Sequence, residues 1–408
     1  MAGTVQLELG GEIRDVNPEY SYFHEIYKKH TNFSIFSREV KLLNEPDFGE
    51  TIKFTIPQNC GHFLTKISLK MVLPGISTGN RCYIESVAHA IIEHARIFIG
   101  DQLIQEVPSD YLQIYSEHNI SLTHQHSLEE KIGKYPFRLN TKQVSDPVIL
   151  SHNNLGKDGK NEEFIVDVPF YFYNHPELAL PISSINKQLI EVEFKLSNFD
   201  KLVTDINAQY PLTDTSHTGD LEMSMVTELV LTNMSQCLNK KYIITQIQQN
   251  IFKIDENEGN FMMTFSHPVK ELCFVIQRDN VSPYDYDNSL NFVDDTYILY
   301  ENLKSLELIL DDQVILTGKL GSVQFLKAVQ SRIHHTRCQI IRRFYSYSFG
   351  LKPEEWYPNG QINFSNIKNQ IIKVKLHRGV PSVPRKLKVY ALSYNILDVK
   401  DGFAHLMY

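Results

Sequence analysis

The feature that most constrains this chain is that it repeats itself. Residues 92–104 read IEHARIFIGDQLI and residues 303–315 read LKSLELILDDQVI, so Asp101-Gln102 falls on Asp312-Gln313 at an offset of 211 (101 to 312). In that frame Ile97 and Ile99 fall on Leu308 and Leu310. Upstream, the run from His62 to Ile67 matches the run from His267 to Leu272 at an offset of 205 (62 to 267). Downstream, Pro176-Glu177 and Pro181 match Pro353-Glu354 and Pro358 at an offset of 177 (176 to 353). Three matches in one order, with small drift in offset, point to two copies of one domain. The helices between them agree. Ser109 is placed to cap a helix carrying Leu112 and Tyr115, and Ser322 one carrying Phe325, Leu326 and Val329.

The repeated unit reads as β structure. Ile67, Leu69, Met71 and Leu73 alternate with polar residues, as do Ile190, Val192, Phe194 and Leu196, then Ile372, Val374 and Leu376, then Leu387, Val389 and Ala391. Alternation with period two predicts strands with one face buried. Turn residues punctuate them, as at Asn153-Asn154-Leu155-Gly156-Lys157-Asp158-Gly159, which suits a sandwich or barrel. Aromatic residues, with 23 Phe and 21 Tyr in 408 residues, favour the same class. A short helix precedes the strands: Asn17 caps it, Pro18 takes its first position, and Tyr22, Phe23, Ile26 and Tyr27 form its apolar stripe. The expected organisation is an arm and helix start over 1–23, one β domain over 24–200, a connector over 201–222, and a second β domain over 223–408. The connector is placed by the aperiodic stretch holding Thr204, Asp205, Asn207, Pro211, Asp214 and Gly219.

Charge narrows the function. The formal net charge is −8, and no Lys/Arg run exceeds two residues (Lys28-Lys29, Lys240-Lys241, Arg342-Arg343), so direct contact with nucleic acid is not expected. Cys60, Cys82, Cys237, Cys273 and Cys338 are scattered and odd in number, which predicts reduced core thiols rather than a disulfide framework or zinc site. Met1 to Gly11 lacks the basic-then-apolar pattern of a signal peptide. No apolar stretch approaches the ~20 residues that span a bilayer.

Several residues invite a chemical reading and are weighed against a plainer one. His124 and His126 with Glu129 or Glu130 resemble a cupin metal motif, but they fall in a polar stretch with no strand to aim them inward, so a solvated loop is expected. His334-His335 is expected at a helix end, where imidazolium suits the dipole. Gly156 to Lys160 lacks the spacing and context of a phosphate loop. Asp294-Asp295 and Asp311-Asp312 are expected in turns, and Trp356 as a packed corner residue. Asn32, Asn119, Asn233 and Asn363 each open an N-x-Ser sequon and stay open as glycosylation acceptors. No catalytic constellation, metal set or cofactor motif stands out, and no enzyme activity is expected.

The ordered motifs resemble the major capsid proteins of nucleocytoplasmic large DNA viruses, the group that includes iridoviruses and phycodnaviruses. The resemblance runs from Asn17-Pro18-Glu19 through Phe23 to Tyr27-Lys28-Lys29-His30-Thr31-Asn32-Phe33. It continues at His89 to Glu93, at Ile99-Gly100-Asp101-Gln102, at Pro169 to Phe172 and at Leu178 to Pro181. The last blocks are His267-Pro268 to Leu272, Tyr347 to Phe349 with Pro353-Glu354, Asn363-Phe364-Ser365, and Val389 to Asn395. Coverage is essentially the whole chain. The resemblance implies a double jelly roll, that is, two tandem eight-stranded antiparallel sandwiches with a few short helices. It implies a homotrimer forming a pseudo-hexagonal capsomer that tiles an icosahedral shell. The implied partners are minor capsid or cement proteins, a penton protein and an inner viral membrane, with assembly in the host cytoplasm. Other readings stay open: a carbohydrate-binding lectin or spike, a cupin-type enzyme, and a scaffold shed from immature virions.

Overall fold

The computed structural model describes residues 30–42, 45–77, 81–134, 155–156, 159–205, 216–233, 239–278, 291–293, 296–298, 303–338, 344–377 and 385–408. Eight principal strands build the first half: β1 (Phe33–Lys41), β2 (Thr51–Thr55), β3 (Phe63–Leu73), β4 (Ile92–Ile99), β5 (Gln102–Pro108), β6 (Glu162–Asp167), β7 (Ile190–Leu196) and β8 (Glu222–Thr232). Eight more build the second: β9 (Lys240–Ile254), β10 (Glu258–Met262), β11 (Pro268–Arg278), β12 (Leu303–Leu310), β13 (Gln313–Leu316), β14 (Phe344–Ser348), β15 (Gln370–Leu376) and β16 (Arg385–Lys400), with β17 (Phe403–Leu406) appended to β16. The first half forms antiparallel sheets in the orders β1-β8-β3-β6 and β2-β7-β4-β5, and the second in the orders β9-β16-β11-β14 and β10-β15-β12-β13. Adding eight to each label converts one half into the other. Two four-stranded sheets with this crossover order are a jelly roll, so the chain is a double jelly roll.

The duplication reaches the register. Ile97 faces Val192 across β4 and β7, and Leu308 faces Ile372 across β12 and β15. The β4–β7 ladder slips between Ile92 and His94, and the β12–β15 ladder between Leu303 and Ser305, again 211 residues on. The β4–β5 hairpin slips between Ile97 and Phe98, its counterpart between Leu308 and Ile309. In β3 the unpaired residue is Thr65, and in β11 it is Lys270, at the offset of 205. A bulge re-aims side chains and sharpens twist, so keeping three of them fixes the same curvature in both barrels. The matching hairpins turn on Gly100 (φ 59) in the first half and on Asp311 and Asp312 (φ 45 and 66) in the second. Asp311 makes this backbone tolerable because its Oδ1 accepts from the N–H groups of Lys368 and Asn369, both at 2.9 Å.

Three expectations need correction. The boundary at residue 222/223 is misplaced: β8 pairs with β1 and β3 and completes the first sheet, so the first half runs to Thr232. Parts of the expected connector also fold back on that half, since Val203–Asp205 pairs with Arg81–Tyr83 and His217–Thr218 with Gly75–Ile76. Ser109 opens its helix but does not cap it. Pro108 holds the cap position at the end of β5, and the Ser109 hydroxyl donates to the His89 carbonyl at 3.1 Å. Ser322 does cap, accepting from the Phe325 N–H at 3.4 Å, although the helix it starts is π-wound over Gln324–Val329. Lastly, β16 buries both faces, not one: Leu387, Val389 and Ala391 join the second core while Tyr390 and Leu392 join the first. The expected Asn17 helix and the expected turn at Asp294-Asp295 lie outside the described residues.

The equivalence of Ile97 and Leu308, both fully buried, gives a direct check. Replacing either with Ala should lower unfolding free energy by about 2–5 kcal/mol, measured by denaturant titration. A cost below about 1 kcal/mol at either position would contradict the placement.

Candidate functional site

The seam between the halves carries the densest set of buried charges. It is organised by the helix Ser109–His118, called here the seam helix, which runs from β5. Asp110, Tyr111, Leu112, Gln113, Ile114, Ser116, Glu117 and His118 are all buried. A helix enclosed on nearly every side is packed between layers rather than on a surface. One layer is the first barrel. The other is the β9-β16-β11-β14 sheet, whose Cys273, Val275, Phe344, Tyr390 and Leu392 join the first half's core.

Each end of the helix is pinned by charge. Near its N-terminus, Asp110 Oδ2 accepts from Lys388 Nζ at 2.6 Å and from the Tyr390 hydroxyl. Near its C-terminus, Glu117 accepts from Lys134 Nζ at 2.6 Å and from Arg337 Nη1 at 3.1 Å. The His118 carbonyl accepts from the Arg337 N–H at 2.9 Å. His335, beside it, donates from Nε2 to Glu271 at 2.7 Å and from Nδ1 to Glu354 at 3.2 Å. Glu354 also accepts from the Thr336 N–H and hydroxyl at 2.9 and 2.5 Å. The His118 ring packs against His335, tilted by 32°, with centroids 4.4 Å apart.

The electrostatics follow from these contacts. Burial works against charge on His335, but Glu271 and Glu354 outweigh it and hold the imidazolium up to about 10. Burial would also raise Glu271, yet His335, His118 and Lys270 keep its carboxyl below the usual range. Burial, aided by the His335 charge, pushes His118 down to about 4. Lys270, at the β11 bulge, is pushed down to about 8 by burial against the pull of Glu271, Glu354 and Glu355. The same seam borders a small cavity walled by Tyr111, Tyr115, Tyr171, Tyr173, His175 and Trp356. Among the described residues nothing here positions a nucleophile beside a base; the arrangement is a join between two barrels.

The residues singled out in the sequence scatter. Asn17, Pro18, Phe23 and Tyr27 lie outside the described residues. His30, Thr31, Asn32 and Phe33 are exposed where the chain enters β1. Gly100 is in a hairpin turn, and Pro181 is buried ahead of the 3-10 turn Ile182–Ser184. His267 (φ 65) and Pro268 start β11, and the His267 carbonyl accepts from the N–H of the buried Phe364 at 3.0 Å. Among the described ones, only Pro353 and Glu354 reach the seam. His124 and His126 stand on helical turns, Leu122–His124 and Gln125–Ile132, not the expected loop. The His126 side chain is 89% exposed with Glu129 at 3.3 Å. Among the described residues no cluster of His, Cys, Asp or Glu is arranged for a metal. Cys82 and Cys273 are core thiols, but Cys60 is half-buried and Cys338 exposed, which corrects the expectation for those two; Cys237 is outside the described residues. Asn32, Asn233 and Asn363 are exposed and Asn119 half-buried.

Comparison with known proteins settles the family. The sequence model described as "Major capsid protein N-terminus" matches residues 21–226, and that described as "Large eukaryotic DNA virus major capsid protein" matches residues 232–405. The chain belongs to the major capsid protein family of large eukaryotic DNA viruses. The major capsid protein of Pyramimonas orientalis virus is 26% identical over 410 residues, covering 96% of this chain and 94% of that one. The fold matches the PBCV-1 virus capsid (TM-score 0.77, 20% identity, 95% and 100% of the two chains) and the Faustovirus major capsid protein (TM-score 0.73, 10% identity, 93% of each). The break between the two matched regions, 226 to 232, falls within β8 and not at the expected connector. In this capsid protein the unforeseen site is the seam. His335 was legible only as a helix-end residue, because Glu271 and His118 come from distant parts of the chain.

His335 should remain an imidazolium at pH 8 in the folded protein, read from its ring nitrogen shifts. Its folded value lies above the unfolded 6.5, so its contribution to stability is complete below pH 6.5 and is lost as pH rises toward 10. Lys270, depressed to about 8, works the other way above that pH. Stability should therefore fall mainly between pH 6.5 and 8; a ring titrating near 6.5 would contradict this.

Proposed function

We propose that this chain is the structural tile of an icosahedral virion shell. Three copies close into a trimer, and their six barrels make a pseudo-hexagonal capsomer that packs edge to edge. The observation that carries this reading is the register-level equivalence of the two halves. Six near-identical barrels fill a hexagonal lattice position while only three chains need to close into a ring. The buried seam supports it too, because a tile that transmits lateral load needs its two barrels locked together. Exposed Phe33 and Ile35, with Val230 facing Ile35 across the ladder, leave an apolar strip along β1 and β8, of the kind that marks an interaction surface.

On this reading the further partners are minor capsid or cement proteins, a penton protein at the vertices and an inner membrane beneath the shell, with assembly in the host cytoplasm. The family-motif residues, Gly100, Pro181, His267, Pro268, Pro353, Glu354 and Phe364 among them, act by shaping turns and strand entries. No catalysis and no direct contact with nucleic acid are proposed. Replacing both His124 and His126 with Ala should leave stability within about 0.5 kcal/mol and assembly unchanged.

The intra-trimer contact should be of the obligate class, on the order of 2,000 Å² or more. Light scattering of the purified protein at micromolar concentration should give three times the chain mass of 47.2 kDa. A stable species at the single-chain mass would overturn the proposal.

A further inference from the structure

We infer that the seam between the two barrels is an acid-sensitive latch, closed by a neutral His118 packed against a charged His335 and released when His118 takes up a proton. The inference rests on the fold and not on trimer formation, so it is testable on the isolated chain whatever its oligomeric state.

The argument begins with hydrogen-bond geometry. Both ring nitrogens of His335 meet carboxylate oxygens, Glu271 and Glu354. Carboxylates accept, so both nitrogens carry hydrogens and the ring is a cation. The His118 ring lies 4.4 Å from it, tilted by 32°, and is 2% exposed. Among the described residues neither nitrogen of His118 makes a hydrogen bond of good geometry, and the one polar group that favours its protonated ring from the backbone is Arg337. A neutral imidazole face is a good neighbour for a cation, whereas a second imidazolium at that distance in a buried place is not.

Rescue would need a carboxylate to spare, and the two that act on His118, Glu271 and Glu117, already hold other cations. From the seam helix itself, Glu117 is engaged by Lys134 and Arg337. From β11, Glu271 is engaged by His335, and Lys270 adds positive charge nearby. From the turn at Pro353, Glu354 is taken by His335 and Thr336, while Glu355 acts on Lys270, which also donates to its backbone carbonyl. From the segment after β6, His175 and Tyr173 line the same cavity and bring no negative charge. From the corner after the second-half helix Gln330–His334, Arg337 holds the His118 carbonyl. A proton on His118 therefore adds a buried cation whose burial and neighbouring His335 charge outweigh what Glu271, Glu117 and Arg337 return, and the relief available is to part the two rings. Parting them pulls Arg337 from the His118 carbonyl and from Glu117, which is the link between the halves at this end of the helix. The depressed affinity of His118 for protons, about 4 against 6.5, agrees with that cost. Its sign places the effect on the acid side: a histidine whose folded value is depressed contributes stability above pH 6.5 that is lost as pH falls toward 4.

His89 is a second buried histidine pushed down to about 4, mainly by burial, but its Nδ1 is bonded to Gln113 inside the first half. The test must separate the two. Hydrogen–deuterium exchange of the whole chain, corrected for intrinsic rates, is followed from pH 7.5 to 4.5 in wild type and in H118F, which keeps a ring over His335. In wild type, exchange of residues 109–118 and 331–338 should rise on the order of ten- to a hundredfold between pH 6.5 and 4.5, and in H118F that rise should be at least tenfold smaller. Equal opening in both proteins would assign the acid response to His89 or another group and overturn the latch, as would a wild-type seam that stays closed at pH 4.5. Should H118F fail to fold, the His118 ring resonance in wild type decides. Protonation only together with seam opening supports the latch, and protonation near pH 6.5 in a closed seam refutes it.

Discussion

The β9-β16-β11-β14 sheet is apolar on both faces, and the architecture depends on how those faces are covered. Along β11, Leu272, Phe274 and Ile276 point into the second barrel while Cys273 and Val275 point into the first half's core. A sheet of this kind cannot be left with one side in water, because each large side chain returned to solvent costs about 1.5–3 kcal/mol. The first barrel and its seam helix supply the cover. The two jelly rolls are thus copies in register but not independent in stability, since one core is built from both. A chain folded this way keeps its two barrels at one spacing and one angle.

Apolar faces alone would permit sliding, so the polar contacts at the seam do a different job. Asp110 and His118 are eight residues apart on one helix, roughly 12 Å along its axis. Asp110 is tied to Lys388 and Tyr390 at one end, and Glu117 and the His118 carbonyl to Arg337 at the other. Buried ion pairs are weak sources of net stability, because desolvation offsets most of the attraction, but a mispaired one is costly. Two such pins on one rigid helix leave a single docking position. The duplicated bulges have a parallel role inside each barrel, where Thr65 and Lys270 occupy one geometric position. In the first half Thr65 bonds Glu228 locally; in the second, Lys270 turns toward the seam. One inherited kink has served two different neighbourhoods.

Much of this was legible from spacing. The 211-residue offset of Ile97 and Leu308 predicted strands that later matched to the residue, because period-two patterns and hairpin turns are local properties. The Ser109 cap failed because a strand-ending proline took the position, which the pattern alone does not reveal. The domain boundary failed for a deeper reason. β8 follows an aperiodic stretch and looks like the start of a new unit, yet its partners β1 and β3 lie more than 140 residues upstream. Closing a jelly roll requires the last strand to return beside the first, and such long-range pairing leaves no local mark. The seam was invisible for the same cause. Glu117, Lys134 and Arg337 carry no mark in the sequence, Glu271, His335 and Glu354 are marked only as parts of a repeat or a helix end, and no periodicity links the six.

The most direct test of the account is electron microscopy of the purified, full-length protein. Averaged particles should show a threefold block with a hexagonal outline, resolving into six barrels of similar size paired two by two. Particles of a single pair of barrels, or a symmetric assembly in which the two halves of one chain occupy unlike environments, would contradict it.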